Sequence, residues 1–166
     1  MIQCSSFRTR IAPLAIAATV ATAACGGHTS APGDAPPDAS AKQTISSFMR
    51  AVSDSNLTKI AELWGSSKGP ASVTRQPSDY ERRIVLIQSY LRHDDYRITA
   101  DAADGNDNRT MQIELRRQAC TWTVPFTVTK AGKAGWLVSN IDLTRAGNPV
   151  RPCDPNAQGD STTPKR

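Results

Sequence analysis

The hydrophobic positions in the first half of the chain follow the period of an α-helix. Residues 42–54 carry one apolar stripe with the i, i+3, i+4, i+7 spacing, and residues 57–64 carry a shorter one. The polar residues 54–56 separate the two stripes and can cap the second helix. The stripes consist of Ile45, Phe48, Met49 and Val52 in the first segment and Leu57, Ile60, Ala61 and Trp64 in the second.

A third helix is predicted after a polar loop at residues 65–77. Residues 78–81 have the pattern of a capping box, with Ser78 at the N-cap and Glu81 at the N3 position. The helix is expected to extend to about His93. Its apolar face is predicted to consist of Tyr80, Ile84, Ile87 and Leu91, widened by Val85, Leu86 and Tyr90.

The period changes to two after residue 95. Hydrophobic and polar residues alternate within residues 96–143, with turn residues at 103–108 and 130–135. A change of phase near residues 118–120 indicates a turn or a bulge, and Pro125, which has no backbone N–H, favours an edge or bulged position. The inward positions are predicted to be Tyr96, Ile98, Ala100, Met111, Ile113, Leu115, Trp122, Val124, Phe126, Val128, Trp136, Val138 and Ile141.

Helices in succession followed by strands in succession predict the α+β class. We expect three N-terminal helices packed on a curved, mostly antiparallel sheet of about four strands, in a domain that spans residues 42–145. Residues 146–166 contain four prolines among polar residues and are predicted to be an irregular tail.

Residues 1–24 have the pattern of an export signal. Arg8 and Arg10 precede an uncharged run of 14 residues, 11–24. Such a run rises about 21 Å as a helix, less than a hydrocarbon core of about 30 Å, so it predicts a signal peptide and not a membrane span. Without residues 1–24 the chain has 18 basic and 15 acidic residues, a net charge of +3. This near balance gives no reason to expect a nucleic-acid partner.

The run ends in Ala21-Thr22-Ala23-Ala24-Cys25-Gly26-Gly27, which resembles a bacterial lipoprotein signal. The resemblance implies that Cys25 becomes an acylated N-terminus, although Thr22 stands where Leu is common. The alternative is ordinary cleavage after the A-x-A site at residues 21–23. Residues 26–41 are rich in Gly, Pro, Ala and Ser and are predicted to be a disordered tether. Gly26 implies an outer-membrane address under the enterobacterial sorting rule.

The four cysteines are expected to reach different chemical states. Cys4 leaves with the signal and Cys25 is acylated, so Cys120 and Cys153 remain in the folded part. An even number of cysteines in an oxidising compartment predicts a disulfide between them, which would pin the tail to the domain; the alternative is two free thiols.

The order of elements resembles the nuclear transport factor 2-like (cystatin-like) cone fold. The resemblance lies in residues 45–52 and 56–64, which are similar to the first two helices of that family, and in residues 121–128 and 135–142, which are similar to its last two strands. The resemblance implies a bent sheet with helices packed in its open end. The chain also resembles bacterial lipoproteins that carry such a domain. Fold resemblance of this kind leaves function open.

No catalytic residues, metal ligands or cofactor are predicted. Enzymes of the cone fold, such as ketosteroid isomerase, use a buried carboxylate and a Tyr/Asp oxyanion hole. Here the acids occupy helix starts, turns and outer strand faces, Asp101 and Glu114 among the last. His93 beside Asp94 and Asp95 is interpreted as a helix-end residue and not as a metal ligand.

Two groups of side chains could contact a ligand. The aromatic residues could line a cavity in the cone, and the first candidates are Trp64, Tyr80, Tyr90 and Trp122, although ordinary core packing also explains them. The basic pairs Arg82-Arg83 and Arg116-Arg117 could contact an anion or an envelope polymer, or could be solvated. Adjacent helix residues point about 100° apart, so Arg82 and Arg83 are not expected to form one patch.

The sequence therefore predicts an exported, lipid-anchored cell-envelope protein, on the periplasmic face of the outer membrane. Its domain is expected to be a non-enzymatic binding or structural module whose partner is an envelope protein or a small apolar ligand. The alternative is an isomerase or dehydratase type of enzyme with the same fold. A buried carboxylate within hydrogen-bond reach of a Tyr in an apolar pocket would favour the enzyme.

Overall fold

Helices precede a four-stranded antiparallel sheet in the residues that the computed structural model describes, 37–151 and 153–154. This confirms the mixed α+β class. The predicted signal segment, Cys25 and most of the predicted tether lie outside the described residues, as does the end of the predicted tail. The helices are α1 (Pro37–Ser53), α2 (Leu57–Leu63), α3 (Ala71–Thr74) and α4 (Tyr80–Tyr90). The strands are β1 (Gly65–Ser66), β2 (Gly69–Pro70), β3 (Asp95–Asp104), β4 (Asn108–Arg117), β5 (Cys120–Lys130) and β6 (Trp136–Ile141).

The main sheet has the order β3-β4-β5-β6, in which each strand pairs with the next along the chain. The phase change near residue 118 is the tight turn between β4 and β5. Pro125 pairs with Gln112 of β4, while the pairing of β5 with β6 ends at Phe126 and Ile141. Pro125 thus lies just beyond the last β5–β6 pair, where its missing N–H costs the sheet no ladder bond.

The apolar stripe of α1 packs on the inner face of the sheet. All four of its predicted core residues are fully buried, and the ring of Phe48 meets that of Phe126 edge-on at a centroid distance of 6.2 Å. The inward residues predicted for β4 and β5 are buried as well, with Trp122 only in part. α1 begins at Pro37, so the helix includes the last five residues that were predicted to be disordered tether. Ala146, predicted to begin the tail, is buried in the core.

The region between α2 and α4 is more ordered than predicted. The side-chain oxygen of Asn56 accepts a hydrogen bond from the backbone N–H of Lys59 at 2.9 Å, which confirms the predicted cap of α2. Residues 65–77, expected to be a loop, contain the short β1–β2 hairpin and the single turn α3. Trp64 forms an isolated parallel bridge with Val138, so this segment lies against the outer edge of β6.

The predicted capping box at α4 is wrong. Asp79, not Ser78, is the N-cap, and it makes no side-chain cap bond. The carboxylate of Glu81 is held elsewhere, because it accepts a hydrogen bond from the Tyr80 hydroxyl at 3.0 Å and lies 3.6 Å from Arg75. The helix ends at Tyr90, three residues earlier than expected.

The predicted width of the apolar face of α4 is wrong at two of its three widening positions. Tyr80, Ile84, Ile87 and Leu91 are buried as expected and Tyr90 packs against the core, but Val85 and Leu86 are 51% and 47% exposed. The helix lies on the domain surface, so only a narrow stripe of it can face the core. None of the helices in the described residues has the length and apolar character needed to cross a bilayer.

A β-bulge corrects the inward and outward assignment of β3. The register shifts between Ile98 and Ala100, so that Asp101, and not Ala100, stands in line with the inner-face residue Met111. Ala100 is exposed, and the Asp101 side chain is only 9% exposed. A one-residue slip moves every later side chain to the opposite face of a strand, which is why the alternation misplaced Asp101.

Candidate functional site

A groove of about 540 Å³ lies between the start of α4 and the end of β6. This volume is within the range of small-ligand sites, about 300–1,000 Å³. One wall comes from the first two turns of α4 and its N-cap, and the other from β6 and the turn that follows it. The lining residues are Trp64, Asp79, Arg82, Arg83, Leu86, Ile87, Ser139, Asn140, Ile141 and Leu143.

The apolar part of the groove combines buried and exposed side chains. Ile87 belongs to the core stripe of α4 and is 5% exposed, whereas Leu86, the next residue, is 47% exposed. Trp64, Ile141 and Leu143 are partly buried and pack against the core. Leu86 therefore leaves apolar area in water that a ligand could cover, and burial of apolar area is the main source of binding free energy.

The charged groups of the groove lie on α4 and its N-cap. Asp79 accepts a hydrogen bond from Nε of Arg83 at 2.9 Å. This bond, together with the charges of Arg83 and Arg82, holds the pKa of Asp79 below its usual range, so the carboxylate is ionised at neutral pH. The Arg82 side chain is exposed and makes no hydrogen bond or ion pair with another described residue. The three groups together carry a net charge of +1.

Both arginines line the same groove, so the expectation that they would not share a patch is wrong. They do point in different directions from the helix, as residues one apart must. The groove extends along the first two turns of α4, however, and both side chains line it. The geometry of an isolated helix does not reveal that two adjacent residues line the same groove.

The β6 wall supplies two polar side chains. The Ser139 hydroxyl is occupied, since it donates to the carbonyl of Thr127 at 3.2 Å and lies 2.9 Å from the Thr129 hydroxyl. Asn140 is exposed, and its amide makes no side-chain hydrogen bond with a described residue. Asn140 is therefore available to a ligand as both donor and acceptor.

The four aromatic residues predicted to line a pocket do not come together. Trp64 lines the groove. Tyr80 is buried in the core, where its hydroxyl accepts from Arg75 at 3.1 Å and donates to Glu81. Tyr90 and Trp122 lie at another place, beside Arg117.

Arg117 joins three elements at the end of α4. Its guanidinium stacks on the ring of Trp122 and donates to the backbone carbonyls of Tyr90 and Arg92 at 3.4 Å and of Ala146 at 3.2 Å. Partial burial lowers the pKa of Arg117 from its usual value. The alternation of β4 already indicated that the Arg117 side chain faces inward, because residue 117 continues the inward series of residues 111, 113 and 115. The second pair member, Arg116, is exposed.

The carboxylate on the inner face is Asp101, and its partners are cations. Arg109 Nε lies 2.7 Å from one of its oxygens and Lys42 Nζ lies 3.4 Å from the other. The second oxygen is buried and has no hydrogen bond of good geometry within the described residues. This is an ion-pair cluster between α1 and the sheet, not the carboxylate–Tyr arrangement that would favour an enzyme.

His93 and the cysteines occupy structural positions. Nδ1 of His93 lies 2.8 Å from the carbonyl of Leu91, and its ring meets that of Tyr96 edge-on at 5.3 Å. Cys120 and Cys153 lie at disulfide distance, with Cα atoms 5.9 Å apart and a sequence separation of 33. The structure thus supports the predicted pairing and ties the tail to the start of β5. Within the described residues, no cluster of three or more His, Cys, Asp or Glu residues could hold a metal ion.

The chain matches no protein-family model and no curated protein. Among solved structures, it is similar to an NTF-2-like protein of unknown function from Shewanella oneidensis, with 13% identity and a TM-score of 0.42, over 63% of this chain and 100% of the other. It is also similar to a phospholipid-binding protein from Ralstonia solanacearum, solved with a phospholipid, with 12% identity and a TM-score of 0.37, over 64% and 77% of the two chains. Likeness at this level assigns no function to the chain.

Proposed function

We propose that this protein is a non-enzymatic ligand-binding domain held at the cell envelope by a lipid on Cys25. The groove between α4 and β6 carries the binding part of the proposal. It offers exposed apolar area at Leu86, together with a guanidinium at Arg82 and an amide at Asn140 that are exposed and make no side-chain hydrogen bond within the described part of the chain. Such a combination of apolar surface and few polar groups is typical of small-molecule sites.

The charges of the groove favour binding over catalysis. A general acid or base works best with a pKa near the operating pH. The groove's carboxylate, Asp79, instead has a lowered pKa and is engaged by Arg83. Asp101, the other candidate base, is engaged by Arg109 and Lys42.

Binding can be tested on the mature chain with the neutral apolar fluorophore N-phenyl-1-naphthylamine. We expect saturable binding that Leu86→Asn weakens severalfold. Val85→Asn is the matched control, because Val85 is equally exposed on the same helix but does not line the groove. Absence of saturable binding, or equal effects of the two variants, would contradict the proposal.

The proposed anchor rests on the sequence of residues 21–27, and the proposed location of the domain is the periplasmic face of the outer membrane. Mass spectrometry of protein extracted from membranes should find diacylglycerol on Cys25 and no residue before it. Cys25→Ala should release the protein into the soluble fraction. An unmodified mature chain that begins at Ala24 would exclude the anchor and would leave the groove proposal untouched.

A further inference from the structure

We infer that the ligand of the α4–β6 groove is a single-chain anionic amphiphile, whose head group binds Arg82 and whose apolar body covers Leu86 and Trp64. This inference rests on the proposed binding function and adds the chemical class of the ligand. Its basis is the unequal pairing of the two arginines that line the groove.

The net positive charge of the groove favours a negatively charged ligand. Arg83 is already neutralised by Asp79 at 2.9 Å, whereas Arg82 has no hydrogen-bonded or ion-pair partner among the described residues. The lining therefore carries a net charge of +1. A cation would be repelled by it, and a second anionic group would have to compete with Asp79 for Arg83.

Binding of an uncharged apolar ligand would remove water from the Arg82 guanidinium without supplying a counter-charge. A ligand that covers Leu86 and Trp64 also displaces water from the neighbouring Arg82. Removing water from an unpaired charge costs free energy unless a counter-charge replaces the lost hydrogen bonds. A carboxylate, sulfonate or monoanionic phosphate head group supplies that counter-charge, and it can accept two parallel bonds from a guanidinium.

The volume of the groove limits the size of the apolar part of the ligand. About 540 Å³ lies in the middle of the range for small ligands, and the apolar lining comes from few side chains. One aliphatic chain or one aromatic body fits this space. Asn140, on the opposite wall, is exposed and can donate a further hydrogen bond to the head group or to a polar group along the chain.

Isothermal titration of the mature chain with three amphiphiles of equal chain length tests the ligand class. The probes are decanoate, decyl maltoside and decyltrimethylammonium, each below its micelle concentration. We expect decanoate to bind about tenfold or more tightly than the neutral probe, as a charge-assisted bond implies. We expect no measurable binding of the cation, and weaker decanoate binding at high salt.

Three variants identify the arginine. Arg82→Gln should weaken decanoate binding about tenfold and should not weaken binding of decyl maltoside, because the variant removes the charge that a neutral ligand must desolvate. Asp79→Asn should strengthen decanoate binding, because it releases Arg83. Arg92→Gln is the control, since Arg92 is an exposed arginine beyond the other end of α4 and does not line the groove.

The outcomes separate this inference from the proposed function. Equal binding of the three probes, with no effect of Arg82→Gln, would overturn the anionic ligand and leave the binding function standing. Absence of binding by all three probes and by the neutral fluorophore would overturn both. Binding only to vesicles of phosphatidylglycerol, and not to decanoate, would replace the single-chain ligand with a membrane surface and would overturn the inference.

Discussion

The guanidinium carbon of Arg117 lies 4.7 Å from the ring centroid of Trp122, on the neighbouring strand. The same guanidinium donates to three backbone carbonyls, which belong to the end of α4 and to the segment after β6. One side chain thus connects the helix, the sheet and the start of the tail.

Arg117→Ala should lower the free energy of unfolding by about 2 kcal/mol, because it removes the cation–π contact and the charged hydrogen bonds. Urea denaturation followed by circular dichroism measures this. Arg116→Ala is the control: its exposed side chain lies 3.8 Å from Asp95, and its loss should change stability by less than about 1 kcal/mol. Equal losses would mean that the Arg117 contacts contribute nothing specific.

Gly147 packs so closely against the Trp122 ring that a side chain at this position would collide with it. A Cβ at this position would lie 2.5 Å from the indole nitrogen, and the backbone has φ of +69°. Gly147→Ala should therefore cost about 2–3 kcal/mol, of which the backbone alone accounts for about 1 kcal/mol. Gly105→Ala isolates the backbone part, since Gly105 has φ of +74° and open space around it. The difference between the two melting curves measures the steric part, and a Gly147→Ala protein as stable as Gly105→Ala would refute the close packing.

Asp101→Asn should destabilise the domain by about 3 kcal/mol, because it removes the carboxylate charge that lies 2.7 Å from the largely buried Arg109 guanidinium. Lys42→Met should cost much less, since the lysine is 48% exposed at its side chain. Chemical denaturation of the two variants and the parent provides the comparison. If Asp101→Asn is neutral, the cluster does not hold α1 to the sheet.

Oxidised protein should show no reactive thiol at Cys120 or Cys153. Cys153→Ser should lower the free energy of unfolding by about 3–4 kcal/mol, which the chain-entropy model assigns to closure of a loop of 33 residues. The double variant with Cys120→Ser should be no less stable than the single one. Labelling with a thiol reagent under native and denaturing conditions tests the bond, and two reactive thiols would exclude it.

Asp79 should contribute to acid lability. Its pKa is lower in the folded state because Arg83 donates a hydrogen bond to the charged form, so its stabilising effect is complete above the unfolded pKa. The effect is lost as the pH falls through the folded pKa, in the range below about pH 4. The stabilities of the parent and of Asp79→Asn should converge as the pH is lowered from 6 to 2. A difference that stays constant over this range would assign the effect of the variant to something other than the ion pair.

The sequence by itself determined the elements whose side chains repeat without interruption. The α1 stripe and the alternation of β4 and β5 were predicted correctly, because a helix or strand with one buried face must repeat its apolar residues with its own period. Arg117 belongs to the same alternation, and its inward position was available from the sequence as well.

Only the tertiary structure decided where those elements meet. The bulge beside Thr99 turned Asp101 inward, and the surface position of α4 left Leu86 exposed. The groove joins residues about 60 positions apart, such as Arg82 and Asn140, and it exists because α4 crosses near the edge strand β6. Periodicity reports the face on which a residue lies, but it does not report which other element stands opposite that face.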